Sequence, residues 1–287
     1  MKIKKFQSYD TRSIEDIRYH YEIEKVLASA LREASRDERK TAYSHLYDQL
    51  FKMVPNHPQL LGKTSNMERA NEINRQMKLL SRFLSPDVTF LDLGAGDCKL
   101  SFSVAQIAAE VHAVDVSEQI TDAAHTPSNF NLILSDGISV DVAPQSINLA
   151  YSWHLMEHLH PDDASDQLRN IYTALAPGGT YICATPHRFN GPHDVSRFFD
   201  RTATGFHLKE YTNIELYSLL QNAGFTNIRS ILTIKGRSSF IPISLPILLE
   251  AALDRLPFRL KRTISTTPIF SNILGVCILG RKFASTL

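Results

Sequence analysis

With 287 residues, 31 basic and 30 acidic side chains and a net charge of +1, the chain is long enough to bury a sizeable core and carries no overall electrostatic footprint for nucleic acid. Its three cysteines, Cys98, Cys183 and Cys277, have no paired spacing, which argues against a disulfide framework or a thiolate zinc site and fits a reducing cytoplasm. The basic run Met1 to Lys5 lacks the apolar core of a signal peptide, and no stretch is long and apolar enough to span a bilayer. The first 84 residues read as a helical segment: charged and apolar positions mix at helical spacing from Ile14 to Leu31 and again from Tyr43 to Met53. Pro55 to Pro58 breaks the pattern. Ser65 with Glu68 reads as a capping box opening a further helix through Phe83, which stops at Ser85-Pro86.

The next segment, Phe90-Leu91-Asp92-Leu93-Gly94-Ala95-Gly96-Asp97, is an apolar run delivering a glycine-rich acidic turn, the pattern of a strand that presents a cofactor loop. A dinucleotide loop needs a third glycine for close helix packing, and here that position is Lys99. Asp97 would repel a phosphate, whereas Asp92 and Asp97 together suit a ligand carrying positive charge and hydroxyls. S-adenosylmethionine, with its sulfonium, ammonium and ribose, is such a ligand. Val111 to Val116 is a second apolar strand ending in an acid, Asp115, where a Rossmann-like sheet holds a ribose. Asn131 to Gly137 is a third, ending in Asp136 and Gly137, suited to an adenine amino group.

In these motifs, and in their order from Leu84 to Gly236, the chain resembles the class I S-adenosylmethionine-dependent methyltransferases. The resemblance implies an α/β fold: a Rossmann-like, doubly wound, mostly parallel seven-stranded sheet, with the N-terminal helical segment (1–84) ahead of a methyltransferase domain (85–287). It also implies that Asp92, Gly94, Gly96 and Asp97 lie along the methionine part of S-adenosylmethionine. Asp115 with Val116 would meet the ribose, and Asp136 with Gly137 the adenine. Trp153, the only tryptophan, falls beside the adenine and the acceptor cleft, to stack there or to close the core.

After the fourth strand, Ile147 to Ser152, the chain reads Trp153-His154-Leu155-Met156-Glu157-His158. On a helix His154, Glu157 and His158 would share one face. The string matches HxxEH of zinc hydrolases, but it stands where methyltransferases place the loop and helix that flank their acceptor. Ubiquinone-pathway O-methyltransferases and small-RNA 2′-O-methyltransferases carry a similar segment whose Glu and His residues bind a divalent metal. In this chain His154 replaces the first glutamate of that pattern, which softens the site, since imidazole suits zinc, iron or nickel better than magnesium. In the RNA-modifying relatives a histidine matching the His207 segment completes the set. The resemblance leaves a divalent ion optional, with no residue read as its ligand. His158 or His207 is the expected catalytic base, with His154 and Glu157 in the same catalytic group; His160, His187 and His193 are read as solvated or structural.

Beyond the fifth strand, Thr180 to Ala184, and the sixth, Asn227 to Ile234, residues 237–271 form an apolar helical insertion before a last antiparallel strand, Ile273 to Leu279. The apolar run with its adjoining basic residues, 240–262, is a candidate for contact with a membrane surface or a second subunit. The function expected is methyl transfer to oxygen on a small-molecule, saccharide or lipid-intermediate acceptor. RNA methylation and a catalytically idle interaction module are the alternatives. The expected location is cytoplasmic, with peripheral membrane contact as an option.

Overall fold

A computed structural model describes residues 10, 12–61, 66–116, 126–234 and 236–284; Met1 to Lys5 and Ser65 lie outside them. Two long helices come first. α1 (Ile14–Glu33) opens on Ser13, whose hydroxyl accepts from the Asp16 amide, and α2 (Arg36–Met53) opens on a complete Ser35/Glu38 capping box. These caps satisfy amides that a helix start leaves free. After the short α3 (Pro58–Leu61), α4 (Asn66–Leu80) ends three residues before the expected Phe83, where a turn begins.

The sheet is built from apolar runs that the helices then cover. β1 (Thr89–Leu93), β2 (Glu110–Asp115), β3 (Phe130–Leu134), β4 (Ile147–Trp153) and β5 (Leu175–Thr185) are parallel. β6 (Thr226–Ile234), β7 (Arg237–Pro242) and β8 (Val276–Arg281) complete the order β3-β2-β1-β4-β5-β8-β6-β7. β8 lies antiparallel between β5 and β6. Side chains alternate across the sheet. Leu91 and Leu93 of β1 point into a core with α1, α2, α6 (Pro161–Ala174) and α7 (Asn213–Asn222). Phe90 points into the opposite core with α4 and α5 (Lys99–Ala105). Helices on both faces make the doubly wound α/β architecture expected from the motif order.

Two details differ from that expectation. The sheet has eight strands, not seven, because Arg237–Pro242, expected within the apolar insertion, pairs with β6 as a hairpin. The last strand begins at Val276, because Ile273 and Leu274 finish a helix. The insertion proper is three helices, α8 (Ser244–Asp254), α9 (Phe258–Ser265) and α10 (Pro268–Leu274).

The N-terminal helices share the main core, burying Leu27, Leu31, Tyr43, Leu46 and Leu50 within it, at about 1.5–3 kcal/mol for each large side chain. A buried ion pair fastens them to α6. Arg39 Nε and Nη2 donate to the two Asp163 oxygens at 2.6 and 2.7 Å, and Tyr43 Oη donates to the same carboxylate at 2.8 Å. Removing one partner leaves a buried charge uncompensated. Asp163→Ala should therefore cost about 3 kcal/mol in denaturant unfolding; a loss no larger than that of Asp37→Ala on the exposed surface would mean the pair holds nothing.

Candidate active site

Strand order reverses between β1 and β4, so the loops after these strands run in opposite directions and leave a crevice at the C-terminal edge. A cleft of about 1060 Å³ occupies it. Gly94, Gly96, Asp97, Asp115, Val116 and Gly137 line one part, and Trp153, His154, His158 and Thr185 another. Tyr43, Tyr47 and Phe51 of α2 and Arg69, Glu72 and Arg75 of α4 form walls.

The glycine loop is tied to the next strand: Asp115 accepts the Gly96 amide at 2.8 Å and, through its other oxygen, the Val116 amide at 2.8 Å. Gly94 and Gly96 adopt positive φ, which glycine tolerates without a Cβ clash. Asp97 is held by Arg69 through two bonds, 2.5 and 3.0 Å. Burial acts to raise the Asp97 carboxyl, and the Arg69 bond and charge outweigh it, so its pKa lies below the ordinary value. Asp92 is placed differently from its expected role. It points to the α5 side, accepts from Ser101 Oγ at 2.6 Å, does not line the cleft, and is pushed up to about 7 by burial against that bond. Asp136 also turns away, accepting the Ile138 and Ser139 amides at 2.9 and 2.6 Å and so fixing its own turn. Gly137 does line the cleft, and a Cβ there would lie 2.8 Å from the Tyr43 ring. Trp153 packs into the α4/α5 core and reaches the cleft, with its buried indole N–H lacking a partner.

His154, Glu157 and His158 do not share a helix face. His154 has φ of 55° and Met156–His158 is a single 3₁₀ turn, too short for the helical spacing expected. The turn still brings the groups together. His154 Nδ1 lies 3.0 Å from one oxygen of the fully buried Glu157, whose other oxygen accepts from Thr185 Oγ1 at 2.8 Å. His158 Nδ1 donates to the Phe206 carbonyl at 3.0 Å, and His207 Nδ1 donates to Glu210 at 2.9 Å. The two rings meet edge to face at 4.9 Å. Among the described residues, one atom each of Glu157, His158 and His207 lies within 4.8 Å of the others. Burial, reinforced by the His207 charge, lowers His158 to about 4. Burial acts to raise Glu157, but the His154 bond and the charges of the three histidines carry it down to about 2. Burial would lower His207, and Glu210, Glu157 and Asp194 outweigh it, so its pKa is raised. His160 caps α6, His187 pairs with Glu250 at 2.7 Å, and His193 donates its amide to Glu210.

Several residues were not singled out from the sequence. Besides Arg69, Gln167 of α6 donates its amide to the Gly137 carbonyl at 2.8 Å while its buried Oε1 has no partner. Arg32 of α1 donates to the carbonyls of Thr204, Gly205 and His207 at 3.0, 2.8 and 3.1 Å. Glu24 of α1 accepts the Phe206 amide at 2.8 Å. A Cβ on Gly205 would strike the carboxylates of Glu24 and Asp194, so a side chain there would have to displace them. A second buried group, His20, Glu24 and His57, stands behind the loop. Within it Arg12 donates to His20 Nδ1 at 3.1 Å and His20 Nε2 lies 2.6 Å from Glu24.

Residues 90–179 match the model of a methyltransferase domain. A protein of Mycolicibacterium smegmatis named as a probable S-adenosylmethionine-dependent methyltransferase is 26% identical over 160 residues, 55% of this chain and 58% of the relative. A Mycobacterium tuberculosis protein of the same description is 27% identical over 154 residues, 53% of each chain. The chain thus spans a little over half the length of the curated relatives it matches. Among solved structures, the complex between the Haloferax volcanii Trm112 methyltransferase activator and a methyltransferase gives a TM-score of 0.54 at 17% identity, covering 80% of this chain and 96% of that one. A Haemonchus contortus phosphoethanolamine N-methyltransferase, solved with phosphomonomethylethanolamine and S-adenosylhomocysteine, gives 0.50 at 15% identity, covering 73% and 52%. These likenesses show the fold. Residues 90–179 thus carry a methyltransferase domain, and the relatives matched over about half their length are named as probable S-adenosylmethionine-dependent methyltransferases.

The raised pKa of His207 depends on the carboxylate at its Nδ1. Glu210→Gln removes that charge and should lower the pKa, so the cationic form survives only to a lower pH than in the parent. Ring-proton NMR titration of His207 checks this, and an unchanged midpoint would assign the shift to another group.

Proposed function

We propose that the chain transfers the methyl group of S-adenosylmethionine to an oxygen of a small-molecule, saccharide or lipid-intermediate acceptor. The carrying observation is one cleft lined by the glycine loop, Asp115, His154 and His158, with Glu157 and His207 buried beside His158. In this reading Gly94, Gly96 and Asp97 run along the methionine part, and Arg69, already at the loop, takes its carboxylate. Asp115 and Val116 meet the ribose. Gly137 borders the adenine, with the unpartnered Gln167 Oε1 as acceptor for its amino group. Asp92 and Asp136 act from behind, by holding α5 and the β3 turn.

The reaction is in-line displacement: the acceptor oxygen bonds to the methyl carbon, the carbon–sulfur bond breaks, and S-adenosylhomocysteine leaves with the electron pair. The protein must align the reactants and take up the hydroxyl proton. His158 is neutral near pH 7 because its pKa is lowered to about 4. Its Nδ1–H is fixed on the Phe206 carbonyl, which leaves Nε2 as proton acceptor. Glu157 supplies negative charge beside the imidazolium that forms.

A second reading is favoured by the same geometry. Both Nδ1–H groups end on oxygen, the arrangement that orients metal-bound histidines, and one atom each of His158, His207 and Glu157 lies within 4.8 Å of the others. These three would hold a divalent ion, nearer zinc, iron or nickel in preference than magnesium. When bound, it would supply Lewis acidity that lowers the hydroxyl pKa.

The test follows label from methyl-labelled S-adenosylmethionine into a panel of hydroxylated acceptors. His158→Ala should lower turnover by about 10²–10⁴-fold with cofactor affinity nearly unchanged, whereas Asp115→Ala should weaken cofactor binding. Normal turnover in His158→Ala would remove this histidine from the mechanism. Loss of activity on chelation, restored by zinc or iron, selects the metal reading; activity indifferent to chelation selects the free base.

A further inference from the structure

The inner side of the helical insertion is firmly anchored. Glu250 of α8 is buried, pairs with His187 at 2.7 Å, and accepts the Asn213 amide and side chain at 2.6 and 2.7 Å. Leu253 and Leu274 close a small core with Phe189. Elsewhere the insertion is different in kind. Leu245 and Leu248 of α8, Phe258 and Leu260 of α9, flanking Arg259, and Ile269 of α10 are between 42% and 71% exposed. Arg255 and Arg262 stand close to Arg259 in sequence. Among the described residues these three arginines form no ion pair, and Asp254 is taken by Lys261 at 2.7 Å. Arg201 adds a further cation over the Phe258 ring at 5.8 Å.

We propose that the exposed surface of α8, α9 and α10 docks on an anionic lipid surface. The argument is charge complementarity combined with the interleaving of charge and apolar surface. A protein interface is depleted of charge at its core. Large apolar side chains interspersed with unpaired arginines suit the boundary between headgroups and acyl chains, where long basic side chains keep their charge in water. The docking face also adjoins the cleft: Ser271, Asn272 and Gly275, at α10 and just beyond it, line the cavity. A protein seated this way presents its cleft to molecules held in the membrane. No helix among the described residues is long and apolar enough to cross it, so the contact is peripheral.

Vesicle co-flotation of the intact chain tests this without cofactor, so its failure leaves the methyl-transfer reading standing. The protein should float with vesicles of phosphatidylcholine plus phosphatidylglycerol, stay behind with phosphatidylcholine alone, and be released by high salt. The triple variant Arg255→Gln, Arg259→Gln, Arg262→Gln should bind the anionic vesicles on the order of a hundredfold more weakly. Leu248→Asp with Phe258→Ser, which touches no arginine, should weaken binding too, with circular dichroism checking the fold of both. No flotation of the parent, or binding equal in parent and triple variant, would overturn the proposal. So would a dimer in light scattering that Leu248→Asp dissolves, because the face would then be covered by a second copy.

Discussion

The strand order around β1 is the constraint on which the rest of the molecule depends. Because β2 lies on one side of β1 and β4 on the other, the loops that leave these strands diverge, and a ligand can enter between them without any strand being broken. The same parting gives the cleft two chemically distinct parts. One is lined by backbone and acids, Gly94, Gly96 and Asp115; the other is lined by Trp153, His154, His158 and Thr185. Methyl transfer requires such a division, since the donor is a charged nucleoside and the acceptor must approach from beyond its sulfur.

Buried charges then fix the second part. The loop that carries His207 is held from α1 by Arg32 on three carbonyls and by Glu24 on the Phe206 amide. The Phe206 carbonyl in turn orients His158. The N-terminal helices are therefore part of the histidine cluster's support as well as a wall of the cleft. Groups buried in this way are expensive to leave unpaired, which favours one arrangement of the loop over its alternatives.

Much of this was legible in the sequence because the signals are local. Each strand that ends in an acid or glycine announces itself within eight residues, and the spacing of His154, Glu157 and His158 is enough to bring them together even though the element is a 3₁₀ turn. What was illegible rests on distant partners. Arg69 reaches Asp97 across 28 positions, and Glu24 reaches Phe206 across 182. On α1 nothing distinguishes the buried Glu24 from the exposed Glu22 until the loop is seen packed upon it. Asp92 and Asp136 carry the right residue type at the right place, but a neighbouring hydroxyl and two amides claim their oxygens. β7 was hidden because its polar, proline-ended run adjoins the apolar helices and was read with them.

The most direct measurement is calorimetric titration of the purified chain with S-adenosylmethionine and S-adenosylhomocysteine, with NAD as control. Saturable binding of both sulfur compounds in the micromolar range, about 8 kcal/mol, with no heat from NAD, is the result this account predicts. Binding of NAD, or of none of the three, would contradict the assignment of the glycine loop and Asp115 to this cofactor.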